Sequence, residues 1–191
     1  IERVFSSPLW KKLEMVNISG GEPTTRNDLV EMTRIILDKL PRLRKYGINT
    51  TGLTPHRAIP MMTAIAELCR DRNVIFSTRV SIDGVGEVHD EVRQVKRGFE
   101  KANETIRAMQ ELQKRVPFNF GVSATMFSKN VDDAENILAW ARKESLDIVC
   151  NMVRFTYPML GNSDLATTCK PIGRDEERMR DFFMDRVRTD S

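Results

Sequence analysis

The chain has 191 residues, 40% of them hydrophobic and 30% charged, so it can bury a core and is not a disordered tail. Basic and acidic residues number 30 and 27, a net charge of +3 that makes no electrostatic case for binding nucleic acid. No apolar run approaches the roughly 20 residues that cross a bilayer, and no signal peptide is visible, so neither a membrane nor an export route is expected.

Leu13-Glu14-Met15-Val16-Asn17-Ile18, stopped by Gly20-Gly21, reads as a short buried strand. Asn27 or Asp28 can cap a helix whose Leu29, Met32, Ile36 and Leu40 share one face, with Pro41 beyond its end. A weak strand follows at Gly47 to Thr51, then a helix from about Ile59 to Arg70. The strongest strand signal is Val74 to Ile82, rich in β-branched residues and closed by Asp83-Gly84. A polar loop leads to an amphipathic helix from Phe99 to Arg115, and Phe118 to Met126 alternates as a strand. Asp132 opens another helix, Asp147 to Phe155 is the last strand, and Arg174 to Val187 is a charged closing helix. Strand and helix thus alternate without hairpin turns between successive strands, which implies βαβ units and a parallel sheet. Residues 1–173 form the α/β core on this reading, and 174–191 a closing segment. The pattern allows a full or partial barrel or an open doubly wound sheet.

In such folds function gathers at the carboxyl ends of the strands. Gly20-Gly21-Glu22-Pro23 stands at the first of these ends. Two glycines let backbone approach a ligand, and a carboxylate pinned before proline, beside backbone carbonyls, suits an ammonium group. An ordinary turn with a solvated Glu22 fits the same spacing. Ser81 and Asp83 close the strongest strand; two apart, they point the same way and could hold the two hydroxyls of a ribose. The plainer reading of Asp83 is a turn that caps the strand. Arg93, in His89-Asp90-Glu91-Val92-Arg93, could grip a carboxylate with its two-pronged guanidinium, or pair locally with Asp90 or Glu91. His89 has no evident partner. Cys69, Cys150 and Cys169 are scattered and odd in number, which suits a reducing cytosol and gives no metal site from this chain alone.

Ile18-Ser19-Gly20-Gly21-Glu22-Pro23, then Arg79-Val80-Ser81-Ile82-Asp83-Gly84, then His89-Asp90-Glu91-Val92-Arg93 with Gly98-Phe99, together resemble the radical S-adenosylmethionine enzyme superfamily. The likeness runs from about Leu13 to Tyr157. It implies a partial (β/α)6 barrel holding a four-iron four-sulfur (4Fe-4S) cluster and S-adenosylmethionine. In such enzymes the cofactor is cleaved reductively to a 5′-deoxyadenosyl radical that abstracts a substrate hydrogen. By the resemblance, Gly20, Gly21, Glu22 and Pro23 meet the methionyl ammonium, Ser81 and Asp83 the ribose, and Arg93 the methionyl carboxylate. Ser123, Thr125 and Arg154 lie at rim positions that resemble cofactor or substrate contacts. An external electron donor and a peptide or small-molecule substrate are implied partners, and a cytoplasmic location is expected.

The superfamily holds its cluster through a Cys-x3-Cys-x2-Cys loop before the glycine motif, and no cysteine here precedes Cys69. A chain that lacks its first βα unit is the expected explanation. A degenerate nucleoside-binding barrel without a cluster is the alternative, and an unrelated βα enzyme acting on a phosphorylated metabolite is a third reading, disfavoured because neither glycine turn carries Lys or Arg.

Overall fold

The computed structural model describes residues 1–154 and 169–189. A short helix α1 (Glu2–Phe5) and a 3-10 turn at Pro8–Trp10 lead into strand β1 (Met15–Ile18). A second 3-10 turn at Pro23–Thr25, helix α2 (Leu29–Lys39), strand β2 (Lys45–Thr50), helix α3 (Pro55–Asp71) and strand β3 (Ile75–Ser81) follow. Helices α4 (Glu87–Arg93) and α5 (Gly98–Gln113) come next, then strand β4 (Asn119–Met126) and helix α6 (Ala134–Lys143). Strand β5 (Ile148–Met152) and helix α7 (Arg174–Thr189) complete the described elements. The five strands form one sheet in the order β1-β2-β3-β4-β5. Each described strand lies beside its predecessor in sequence, so among the described residues the sheet has no switch point of the kind a doubly wound fold requires. Among the described residues no helix is long and apolar enough to cross a membrane.

The chain divides into two compact units. The first comprises Ile1–Ser81 and Glu100–Gly121. Its strands β1, β2 and β3 pair in parallel, with Asn17 opposite Gly47 and Gly47 opposite Ser77. Tyr46, Ile48, Phe76 and Val80 are buried on one face of β2 and β3. Leu29 and Ile36 of α2, Ile65 and Cys69 of α3, and Met109 and Leu112 of α5 join Tyr46, Ile48 and Phe76 in one apolar cluster. The alternate residues Lys45, Asn49 and Ile75 are exposed, as period-two geometry demands when helices cover one face. A hydrogen bond of 2.8 Å joins the Thr33 and Tyr46 hydroxyls inside this core. The Thr33 hydroxyl already donates to the Leu29 carbonyl at 2.9 Å, so Tyr46 is the donor to Thr33.

The second unit comprises Ile82–Phe99 and Val122–Ser191. Here β4 pairs with β5 in parallel, Ser123 opposite Val149 and Thr125 opposite Asn151. Ala124, Met126, Val131, Ile137 and Met179 are its buried cluster.

Several boundaries depart from the expectation. Helix α3 begins at Pro55, four residues before the expected start, because proline fits the first helical turn where no N–H partner is needed. Asp28 does flank α2, but its side chain makes no cap bond; it pairs with Arg26 instead at 2.7 Å. Helix α4 occupies part of the expected polar loop, bounded by Gly86 and by Gln94 in a left-handed conformation with φ of 54°. The last strand is shorter than expected at both ends, and Phe155 and Tyr157 lie outside the described residues.

Candidate functional site

Two polar clusters stand at strand ends, one in each unit. In the first unit, β1 runs out at Ile18, and the backbone turns through Ser19, Gly20 and Gly21. Gly20 has φ of +145°, and a methyl group added at Gly20 or Gly21 would touch nothing within 4 Å. Their carbonyls accept no hydrogen bond among the described residues. The turn is therefore an open stretch of main-chain acceptors with room beside it. Pro23 is buried and opens the 3-10 turn that Glu22 caps.

The Glu22 carboxylate is not a solvated group. Its Oε1 accepts from the Thr24 amide at 3.0 Å, the Thr24 hydroxyl at 2.7 Å and the Thr50 hydroxyl at 2.8 Å. Its Oε2 accepts from the amide and the hydroxyl of Thr51, each at 2.6 Å. Burial pushes its pKa up, but the hydrogen bonds from Thr51, Thr24 and Thr50 outweigh burial and hold it below the ordinary carboxylate value. A carboxylate offers about four lone-pair directions, and here five donors already occupy them. The far side of the loop is held by Arg57 of α3, whose guanidinium donates to the carbonyls of Thr24 at 3.1 Å and Thr25 at 2.9 Å. Ser81 closes β3 in the same unit, half-buried.

In the second unit Asp83 is the centre. It is 5% exposed, and every polar group it owns has a partner. Its Oδ1 accepts from the Thr125 amide at 2.8 Å, and its Oδ2 pairs with Arg93 Nη2 at 2.6 Å. Its own amide donates to His89 Nδ1 at 3.1 Å, and its carbonyl accepts from Asn130 Nδ2 at 2.9 Å. Asn130 also donates to the Thr125 carbonyl and accepts from the Phe127 amide. Asp133 accepts from the Val85 amide at 2.6 Å, which fixes the next peptide but one. Gly84 is needed in this turn because a Cβ there would lie 2.7 Å from the His89 amide nitrogen.

Sequence reasoning put Ser81 and Asp83 on one face, but β3 ends at Ser81, and strand alternation does not carry past that point. Arg93 pairs with Asp83 rather than with Asp90 or Glu91. Asp90 instead accepts from the amides of Arg97 and Phe99, around the start of α5. The Arg93 Nε is buried and has no hydrogen-bond partner among the described residues. His89, which seemed partnerless, is wholly buried and bonded to Asp83 through Nδ1. Burial and the nearby Arg93 push its pKa down to about 4. Ser123 is half-buried, and its carbonyl accepts from the Ile82 amide at 2.8 Å. Arg154 is exposed just past β5. Sequence reasoning missed Thr50 and Thr51 as the partners of Glu22. Their signal was modest: a Thr-Thr-Gly at the end of the next strand, level with the glycine motif.

The S-adenosylmethionine and cluster implied by the resemblance fit unequally. The open Gly20-Gly21 turn can receive an ammonium group. The cluster has no fit: among the described residues no three His, Cys, Asp or Glu side chains converge as metal ligands. Cys69 is buried within α3, Cys150 lies in β5 and Cys169 just before α7.

Over 169 residues the chain is 31% identical to an AdoMet-dependent heme synthase of Methanosarcina barkeri, covering 88% of this chain and 43% of that protein. It is 28% identical over 146 residues to an Fe-coproporphyrin III synthase of the same organism, covering 76% and 32% respectively. A molybdenum cofactor biosynthesis protein, moc-5 of Caenorhabditis elegans, is 26% identical over 136 residues, 71% of this chain and 21% of the relative. No protein-family model matches the chain. The chain is a homologue of the radical S-adenosylmethionine enzymes. It spans less than half the length of the relatives it matches.

Proposed function

We propose that this chain supplies the S-adenosylmethionine-binding part of a radical S-adenosylmethionine enzyme, built on a partial barrel. The observation that carries the reading is the Gly20-Gly21 turn, open on its ligand side and fixed from behind by Glu22 and Arg57. Its free carbonyls are the acceptors for the methionyl ammonium. The carboxylates of Glu22 and Asp83 serve mainly inside the protein, so within the first unit the ribose contact falls to Ser81.

The superfamily's reaction needs a cluster, and no step through one is derived from these residues. Its thiolates, on this proposal, come from outside the 191 residues, with an external electron donor. The relatives named for heme and coproporphyrin synthesis make a carboxylate-bearing tetrapyrrole the first substrate to test, ahead of a peptide.

Titration calorimetry of the chain with S-adenosylmethionine tests the reading. Gly21→Leu, which fills the open side of the turn, should weaken binding by tenfold or more, since about 1.4 kcal/mol separates each decade. Equal affinity for the wild type and Gly21→Leu, or no binding by either, would remove the assignment.

A further inference from the structure

Glu22 is the residue that spacing alone offers as a ligand for an ammonium group, yet its oxygens are directed at Thr24, Thr50 and Thr51. Three of its five hydrogen bonds come from the last residue of β2 and the residue after it, 28 and 29 positions along the chain. Thr50 is 3% exposed, and its hydroxyl also accepts from the Gly52 amide at 3.1 Å, so it is itself fixed. Glu22 follows Gly21 directly. Clamping both carboxylate oxygens therefore fixes the orientation of the peptide groups just before it.

We propose that Thr50 and Thr51 are positioning residues for the ligand turn: through Glu22 they hold the Gly20 and Gly21 carbonyls in the orientation that receives an ammonium. The inference rests on the S-adenosylmethionine reading above, and it assigns Glu22 to the latch rather than to the ligand. Glycine makes the turn open but also loose, since it gives up more conformational freedom on ordering than any other residue. A latch on the adjoining residue removes that looseness before the ligand arrives, which raises affinity without adding a contact. An ammonium meeting Glu22 directly would have to displace one of the threonine bonds, and a carboxylate without spare lone pairs gains little by the exchange.

The test uses Thr51→Val and Thr50→Val, close in shape but without the hydroxyl, beside Thr51→Ser, which restores it. Two measurements are made on the 191-residue chain: S-adenosylmethionine affinity by calorimetry, and amide hydrogen exchange over residues 19–25 without ligand. If the latch positions the turn, each valine variant speeds exchange in that segment alone and weakens binding about tenfold, the scale of one charge-assisted hydrogen bond. Thr51→Ser should return both to within about twofold of the wild type. Unchanged or tighter binding in Thr51→Val would overturn the proposal, because the freed oxygen would then be meeting the ammonium itself. Faster exchange across the whole first unit would also overturn it, showing the threonines to be general structure. Failure of the wild type to bind S-adenosylmethionine, with exchange behaving as expected, would instead count against the cofactor reading and leave the latch without that ligand.

Discussion

The amide of Asp83 donates to Nδ1 of His89 at 3.1 Å, which forces the imidazole proton onto Nε2. A protonated His89 cannot accept that bond. Its folded pKa of about 4 lies below the ordinary value of 6.5, so the unfolded chain binds the extra proton first. Stability from this group is full above pH 6.5 and falls as pH drops from there towards about 4. The loss approaches about 3 kcal/mol at the acid end, at 1.36 kcal/mol per pKa unit. Urea unfolding at pH 7.0 and at pH 4.5 measures it. In His89→Gln the pH dependence across that window should shrink markedly; an undiminished slope would show that another group is responsible.

Asn130 should be the most sensitive polar residue of the second unit. Its side chain makes three hydrogen bonds, to the Asp83 and Thr125 carbonyls and from the Phe127 amide, at 1% exposure. Asn130→Ala removes the partner of the buried Asp83 carbonyl, at about 1–3 kcal/mol if no water replaces the side chain, and of the less buried Thr125 carbonyl and Phe127 amide, at less. Loss of at least about 2 kcal/mol in urea unfolding is expected. A loss below about 0.5 kcal/mol would mean that the turn does not depend on it.

Cys69 is inert by position. Burial pushes its thiol up to about 12, whereas a reactive cysteine needs thiolate near neutral pH. Iodoacetamide at pH 8 should label Cys150 and Cys169, both partly exposed, and leave Cys69 unmodified until the chain unfolds. Mass spectrometry of the digested protein reads the outcome, and rapid native labelling of Cys69 would contradict its place in the core. Anaerobic treatment with iron and sulfide should likewise give no stoichiometric cluster, since these three thiols sit on separate elements.

The alternation of strands and helices was legible because it depends on local apolar periodicity, and all five expected strands are present within a few residues. Helix α4 was hidden because Glu87 to Arg93 is polar, with His89 its only buried member. The chemistry-bearing residues were legible as types: Glu22 and Asp83 do stand just beyond strand ends, while Arg93 is the last residue of α4 and reaches Asp83 from there. Their partners were not. Glu22 finds Thr51 across 29 positions, and Asp83 finds Thr125 across 42, distances at which sequence carries no local signal. Pairing Arg93 with Asp90 or Glu91 was a nearest-neighbour inference, and the intervening helix α4 returned the side chain to Asp83 instead.

Gly52 marks a place where one methyl group is expected to matter. Its φ is +69°, and a Cβ would lie 2.8 Å from Val80 Cγ1 and 3.4 Å from Ala102 Cα. Gly52→Ala combines backbone strain with overpacking, each costing about 1–2 kcal/mol. A fall of at least about 2 kcal/mol in chemical denaturation is expected. Gly86→Ala, also at positive φ but with nothing within 4 Å of the added carbon, should cost less and serves as the control.

Strands β2 and β3 place their buried residues on the helix side alone, and β1, expected as a buried strand, has only the half-buried Val16 and Ile18 against that core. Asn17, Lys45 and Asn49 stand on the exposed alternate positions and take no share in the apolar cluster. Mutational tolerance should therefore split along the pleat, residue by residue. Exchange of Ile48 or Phe76 disturbs the scaffold, whereas exchange of Lys45 or Asn49 leaves its melting point nearly where it was. A sheet with its stability lodged on one side can be refitted on the other, and related chains could take up different molecules without learning to fold again.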